Sequence, residues 1–96
     1  MKPSDALQRN REAIRDAVAR HRACNPRVFG SVTLGCDGDG SDLDLLVDPL
    51  PGATLFDLGG LQAELEMALG ISIDVLTPGD LPERFRECVV REALPV

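Results

Sequence analysis

The sequence predicts an α+β fold: a small mixed β-sheet of about three strands packed against helices. Two observations predict it. The segments around Leu43–Val47 and Ile71–Val75 alternate apolar and polar residues with period two, as half-buried strands do. Between and around them, apolar residues recur at intervals of three and four, the spacing of an amphipathic helix. The order is helix, strand, strand, helix, strand, helix, with no repeat, linker or low-complexity tract, and residues 1–96 are expected to form a single domain.

Ser4 is expected to cap a first helix running to about Ala23, with Leu7, Ile14, Val18 and the alanines Ala6, Ala13 and Ala17 as its apolar stripe. Asn25-Pro26 ends it, and Arg27-Val28-Phe29 reads as a short strand. Residues 31–35 can form one helical turn, and Cys36 to Gly40 is a loop. Asp42 to Asp48 reads as a strand closed by Pro49 and Pro51. Thr54 caps the next helix, with Asp57 three residues on as a variant of the capping box. Leu58, Leu61, Leu65 and Leu69 form its stripe, and Gly70 is its stop. Ile71 to Leu76 is a strand, Thr77-Pro78-Gly79 a turn, and Asp80 the cap of a last helix carrying Leu81, Phe85, Cys88, Val89 and Leu94.

Composition narrows the function classes. No apolar run approaches the roughly 20 residues of a membrane span, and residues 1–23 are charged throughout, so no signal peptide is expected there. Three scattered cysteines lack zinc-ligand spacing and do not pair off as a disulfide framework, so they are expected to be buried or idle thiols in a cytoplasmic protein. The net charge of −6 is unevenly spread. Residues 1–27 carry +4 (seven Lys/Arg, three Asp/Glu), and residues 28–96 carry −10 (three Arg, thirteen Asp/Glu). The acidic majority argues against direct nucleic-acid binding. The basic segment is either a solvated helix face or a surface for a partner or nucleotide tail.

The chemistry lies in Ser41-Asp42-Leu43-Asp44. On a strand, Asp42 and Asp44 share one face while Leu43, Leu45 and Val47 share the other. Two carboxylates so spaced can hold a hard cation. The turn Phe29-Gly30-Ser31 upstream can offer backbone N–H groups to a phosphate. Asp74 alternates with Ile73 and Val75 in the same sense, so neighbouring strands would gather three carboxylates on one sheet face. Like charges at close range are costly without a cation, and a divalent ion reverses that sign. Asp42 and Asp44 are then expected to hold Mg²⁺, and Asp74 to bind a second metal or accept a proton. The competing readings are the solvated side of a half-open sheet, or a calcium loop starting at Asp37. The latter lacks the required Gly and Glu, since Asp42 and Asp48 occupy those positions.

Phe29-Gly30-Ser31, Gly35, and then Ser41-Asp42-Leu43-Asp44-Leu45-Leu46-Val47-Asp48 resemble the minimal nucleotidyltransferases of the DNA-polymerase-beta-like superfamily. The resemblance spans nearly the whole chain. It implies the minimal nucleotidyltransferase fold, with Asp42, Asp44 and Asp74 as catalytic and metal-binding residues and Gly30, Ser31 and Ser41 as nucleotide-binding residues. It implies Mg²⁺ as cofactor, ATP as substrate, and transfer of AMP to a hydroxyl, expected to be a tyrosine, of a helical HEPN-domain toxin in a hetero-oligomer. The chain would be the antitoxin of that pair. One departure matters. Relatives often carry Arg just after Gly-Ser, whereas Val32, Thr33 and Leu34 stand here, and Asp37 and Asp39 follow. Loss of charge-assisted hydrogen bonds of roughly 1.5–3 kcal/mol each weakens nucleotide binding unless the partner supplies a cation. The alternative function is therefore a catalytically weak or inactive antitoxin that neutralises its partner by binding alone. A small-molecule nucleotidyltransferase is a third class, and it would need an acceptor domain that 96 residues hardly allow.

Overall fold

The computed structural model describes residues 2–30, 38 and 42–96. Helices α1 (Pro3–Arg9) and α2 (Arg11–Arg20) lead into strand β1 (Ala23–Phe29). Strand β2 (Leu43–Pro49), helix α3 (Leu55–Leu69), strand β3 (Ile73–Leu76), a 3₁₀ turn (Pro78–Asp80), helix α4 (Glu83–Glu92) and strand β4 (Leu94–Pro95) complete the order. The sheet runs β3-β2-β1-β4. β2 is parallel to β3 and antiparallel to β1, and β1 is antiparallel to β4. The sheet is therefore mixed, as expected, with a fourth strand where about three were predicted. A two-residue strand is too short for alternation to reveal.

The core lies on one side of the sheet. Leu43, Leu45, Val47, Val28 and Ile73 meet Ile14, Ala17 and Val18 of α2 and Leu61, Leu65 and Leu69 of α3. The α3 termini follow the sequence signals. The Asp57 N–H donates to Thr54 Oγ1 at 3.4 Å and the Thr54 N–H to Asp57 Oδ2 at 2.9 Å, a reciprocal capping box. Gly70 closes the helix at φ +71°, a conformation glycine adopts without steric cost.

Four expectations are corrected. The first helix is two helices broken at Asn10, whose Nδ2 donates to the Ala6 carbonyl at 2.8 Å, so its side chain competes with the helical backbone. Ser4 lies inside α1, which starts at Pro3 with no side-chain cap. β1 begins at Ala23 and takes in Asn25-Pro26 as a bulge: Asn25 sits at φ +53° and the register shifts between Cys24 and Arg27. Asn tolerates the left-handed region and Pro lacks a ladder N–H, so a bulge accommodates both. Asp80 does not cap the last helix. It closes the 3₁₀ turn, accepting from the Thr77 N–H at 2.9 Å, and α4 starts at Glu83 behind Pro82.

Of the apolar residues expected on the last helix, Leu81 alone is buried, and it precedes α4. No residue of α4 is buried, Phe85 and Cys88 are exposed, and Leu94 belongs to β4. Arg86 ties the helix down instead, its Nε donating to the Pro78 carbonyl at 2.7 Å and its Nη2 to the Leu81 carbonyl at 3.1 Å. Cys24 is a free, exposed thiol like Cys88, so neither is buried; Cys36 lies outside the described residues. Much of the basic segment is spent internally: Arg20 pairs with Glu64, Arg27 with Asp48, and Arg15 Nε donates to the Val96 carbonyl at 2.9 Å. No helix is long and apolar enough to cross a membrane among the described residues.

Candidate active site

The acids occupy the face of the sheet turned away from the core. In the parallel β2–β3 pair, Asp44 lies directly opposite Asp74 and Leu46 opposite Leu76. In the antiparallel β1–β2 pair, Phe29 lies opposite Asp44 and Arg27 opposite Leu46. Residues paired in register project to one side, so Phe29, Asp44 and Asp74 form a row across three strands. Asp42 is exposed, stands just before β2 and shares the parity of Asp44. Leu43, between them, is anchored by its N–H to the Ser72 carbonyl at 2.9 Å.

Electrostatics bind the three acids into one unit. Partial burial pushes the Asp44 carboxyl above the ordinary carboxylate range, and the charges of Asp74 and Asp42 push it further the same way. Gly30 completes the arrangement. It has φ +78°, and a Cβ built on it would stand 2.5 Å from Asp44 Oδ2. The glycine backbone thus lies against the central carboxylate, an approach no side chain would permit. Ser31 and Ser41, the other residues expected to contact nucleotide, lie outside the described residues, as do Val32, Thr33, Leu34, Asp37 and Asp39.

Two features were not read from the sequence. Leu46 is fully buried although it stands on the acid face, between Arg27 and Leu76 on its neighbouring strands, and the 3₁₀ turn also contacts β2. Two adjacent apolar residues inside an alternating strand, Leu45-Leu46, were the available signal for a sheet covered on both sides at that end. Secondly, β3 is an edge strand whose outward N–H groups are taken by α3. Gln62 Oε1 accepts from Val75 and Glu66 Oε2 from Ile73, each at 3.1 Å. These bonds flank Asp74, so α3 fixes the strand that carries it and blocks an open sheet edge.

Among the described residues, no three or more His, Cys, Asp or Glu side chains are gathered closely enough to hold a metal ion, so Asp42, Asp44 and Asp74 do not form a preformed three-carboxylate ligand set. Mg²⁺ takes one or two carboxylates and fills its octahedron with water and substrate phosphates. The charge repulsion on Asp44 is the sign that a cation would relieve. A groove of about 600 Å³ lies at the opposite end of β2, between Arg27, Asp48 and α4, and excludes all three acids.

Helices thus cover one side of a mixed sheet, and Asp44 and Asp74 stand in register on the other beside Gly30. The chain belongs to the minimal nucleotidyltransferase family. It is 34% identical over 79 residues to the putative protein adenylyltransferase of Methanocaldococcus jannaschii, covering 82% of this chain and 85% of that protein. A solved structure of a putative minimal nucleotidyltransferase superposes with a TM-score of 0.86 at 44% identity, covering 97% of this chain and 95% of that one. A toxin–antitoxin crystal structure with AMP-PNP shares the fold at TM-score 0.74 and 19% identity, over 90% of this chain and 71% of that one. A mutant of the MntA–HpeT toxin–antitoxin does so at 0.72 and 16%, over 90% and 70% of the two chains. No family model matches the sequence.

Proposed function

We propose that this nucleotidyltransferase, acting as one domain over residues 1–96, transfers AMP from ATP to a hydroxyl of a partner toxin and so serves as its antitoxin. The observation that carries this reading is the in-register row of Asp44 and Asp74 beside Gly30, with Asp42 close enough to raise the Asp44 pKa. The name of the archaeal relative, a protein adenylyltransferase, supports protein as the acceptor. The toxin–antitoxin complexes that share the fold, one of them with AMP-PNP, support a toxin partner and an adenine nucleotide. The partner is a helical HEPN-domain protein, the target a tyrosine, and the pair a cytoplasmic hetero-oligomer.

Each residue has a role in this proposal. Asp42 and Asp44 would hold Mg²⁺, which when bound would offset the charge of the triphosphate and of the transition state. Gly30, Ser31 and Ser41 cradle the phosphates, the glycine by letting backbone approach without a side chain. Asp74 accepts the proton of the attacking hydroxyl. The hydroxyl oxygen forms a bond to the α-phosphorus, the bond from that phosphorus to the bridging oxygen breaks, and pyrophosphate leaves with the electron pair. Nothing on the acid face among residues 42–76 is cationic, since no Lys or Arg occurs between residues 28 and 83. Arg27, in register with Leu46 on the same face, is paired with Asp48, so a cation from the partner would strengthen nucleotide binding.

Intact-mass analysis of a helical candidate toxin, should one be encoded beside this chain, incubated with it, ATP and Mg²⁺, tests the proposal. Gain of one AMP on a tyrosine supports it. Neutralisation of the toxin without any mass gain, persisting in Asp42→Ala/Asp44→Ala, would replace it with masking by binding.

A further inference from the structure

β3 carries Asp74 and has a neighbouring strand on one side only, β2. Along a strand, the backbone groups of alternate residues face opposite edges. The Ser72 carbonyl faces β2, where it accepts from the Leu43 N–H at 2.9 Å, and Asp74 has the parity of Ser72. Ile73 and Val75 therefore turn their N–H groups to the open edge. Those are the two groups that α3 takes, through Glu66 Oε2 and Gln62 Oε1 at 3.1 Å each. Both acceptors are half-buried.

Spacing explains the match. Residues four apart on a helix lie about 6 Å apart along its axis, and residues two apart on a strand about 6.6 Å. Gln62 meets Val75 and Glu66 meets Ile73, so α3 runs antiparallel to β3 and its two acceptors stand in for rungs of a missing strand. Asp74 lies between these bonds. Its backbone is held by β2 on one edge and by α3 on the other, while its carboxylate stays exposed on the acid face beside Asp44. A short edge strand held from one side alone is prone to fray. We infer that Gln62 and Glu66 are positioning residues for the transfer reaction, which keep Asp74 in register with Asp44 from outside the acid site. This rests on the proposed reaction, in which Asp74 takes the proton of the acceptor hydroxyl. Neither residue touches the reacting atoms; each supplies an acceptor oxygen, and charge is not what the bond requires, since Gln62 has none.

The test combines AMP transfer to a partner toxin co-expressed with the chain, measured against ATP concentration and counted per folded molecule, with amide hydrogen exchange followed by NMR. Gln62→Met and Glu66→Met keep side-chain length and lose the acceptor oxygen; Glu66→Gln keeps the oxygen and loses the charge. Each Met variant should lower kcat by about tenfold or more, because displacing a reacting group by about 1 Å can cost a hundredfold. KM for ATP should stay within about twofold, since neither bond touches Gly30, Asp42 or Asp44. Exchange of the Ile73 amide should quicken in Glu66→Met and that of Val75 in Gln62→Met, and Glu66→Gln should match the wild type in both readouts. Wild-type kcat in the two Met variants, a loss that falls on KM alone, or a loss shared by Glu66→Gln would overturn the inference and leave the proposed reaction standing. A wild type that transfers no AMP would overturn the proposed reaction, and this role with it.

Discussion

Asp44 and Asp74 are direct cross-strand neighbours in the parallel β2–β3 pair, and Asp44 titrates above its ordinary range through burial, Asp74 and Asp42, in that order of size. A carboxyl whose folded pKa is raised binds its proton more tightly when folded. Stability attached to it therefore falls as pH rises from the unfolded value near 3.8 through the folded one. Asp44→Asn should raise the melting midpoint in metal-free buffer at pH 7 and give no such gain below that unfolded value. Mg²⁺ at about 100 times its Kd should add about 2.7 kcal/mol to the wild type and much less to the variant. Thermal melts with and without Mg²⁺ check both.

Gly30→Ala concerns the same carboxylate. The added methyl must stand where Asp44 Oδ2 is, on a backbone at φ +78°. Left-handed backbone costs about 1–2 kcal/mol for an L-residue, and displacement of Asp44 adds to it. Urea unfolding should show a loss of at least that size, with transferase activity falling by about a hundredfold.

Leu46→Ala separates packing from chemistry. The side chain is fully buried on the acid face, two residues from Asp44. Its truncation should cost about 2–5 kcal/mol by urea unfolding. Activity per folded molecule should fall far less than in Asp44→Asn, because no reacting group is removed.

The shared sheet face of the candidate site was legible in the sequence, because alternation alone decides it. Asp42, Asp44 and Asp74 stood out because strand parity sets each against an apolar neighbour, and the α3 caps stood out because Thr54, Asp57 and Gly70 act locally. Asn10 and Asn25 misled the reading because their effects turn on a side-chain bond and a left-handed backbone, which no periodicity encodes. The burial of Leu46 is not encoded by alternation, because its neighbours Arg27 and Leu76 are brought beside it only by strand pairing. Gln62 and Glu66 look like ordinary helix-surface residues until the edge of β3 is laid beside them.

The contact between α2 and α3 has its own pH signature. Arg20 and His21 both bond Glu64, and Arg20 above all holds its carboxyl down to about 2. For a depressed carboxyl the associated stability is present above the unfolded value of 4.5 and is lost as pH falls through about 2. Glu64→Gln should flatten the wild-type slope of stability across that window and leave the slope above pH 5 unchanged, which acid titration followed by circular dichroism will show.

The proposed joint role of Asp42, Asp44 and Asp74 in nucleotidyl transfer is tested by label transfer from ATP marked on its α-phosphate to a toxin partner co-expressed with the chain. Mg²⁺-dependent labelling by the wild type, lost in Asp44→Asn and in Asp74→Asn while both variants stay folded and bound to the partner, is the predicted result. Labelling that proceeds at the wild-type rate in either variant would contradict the account.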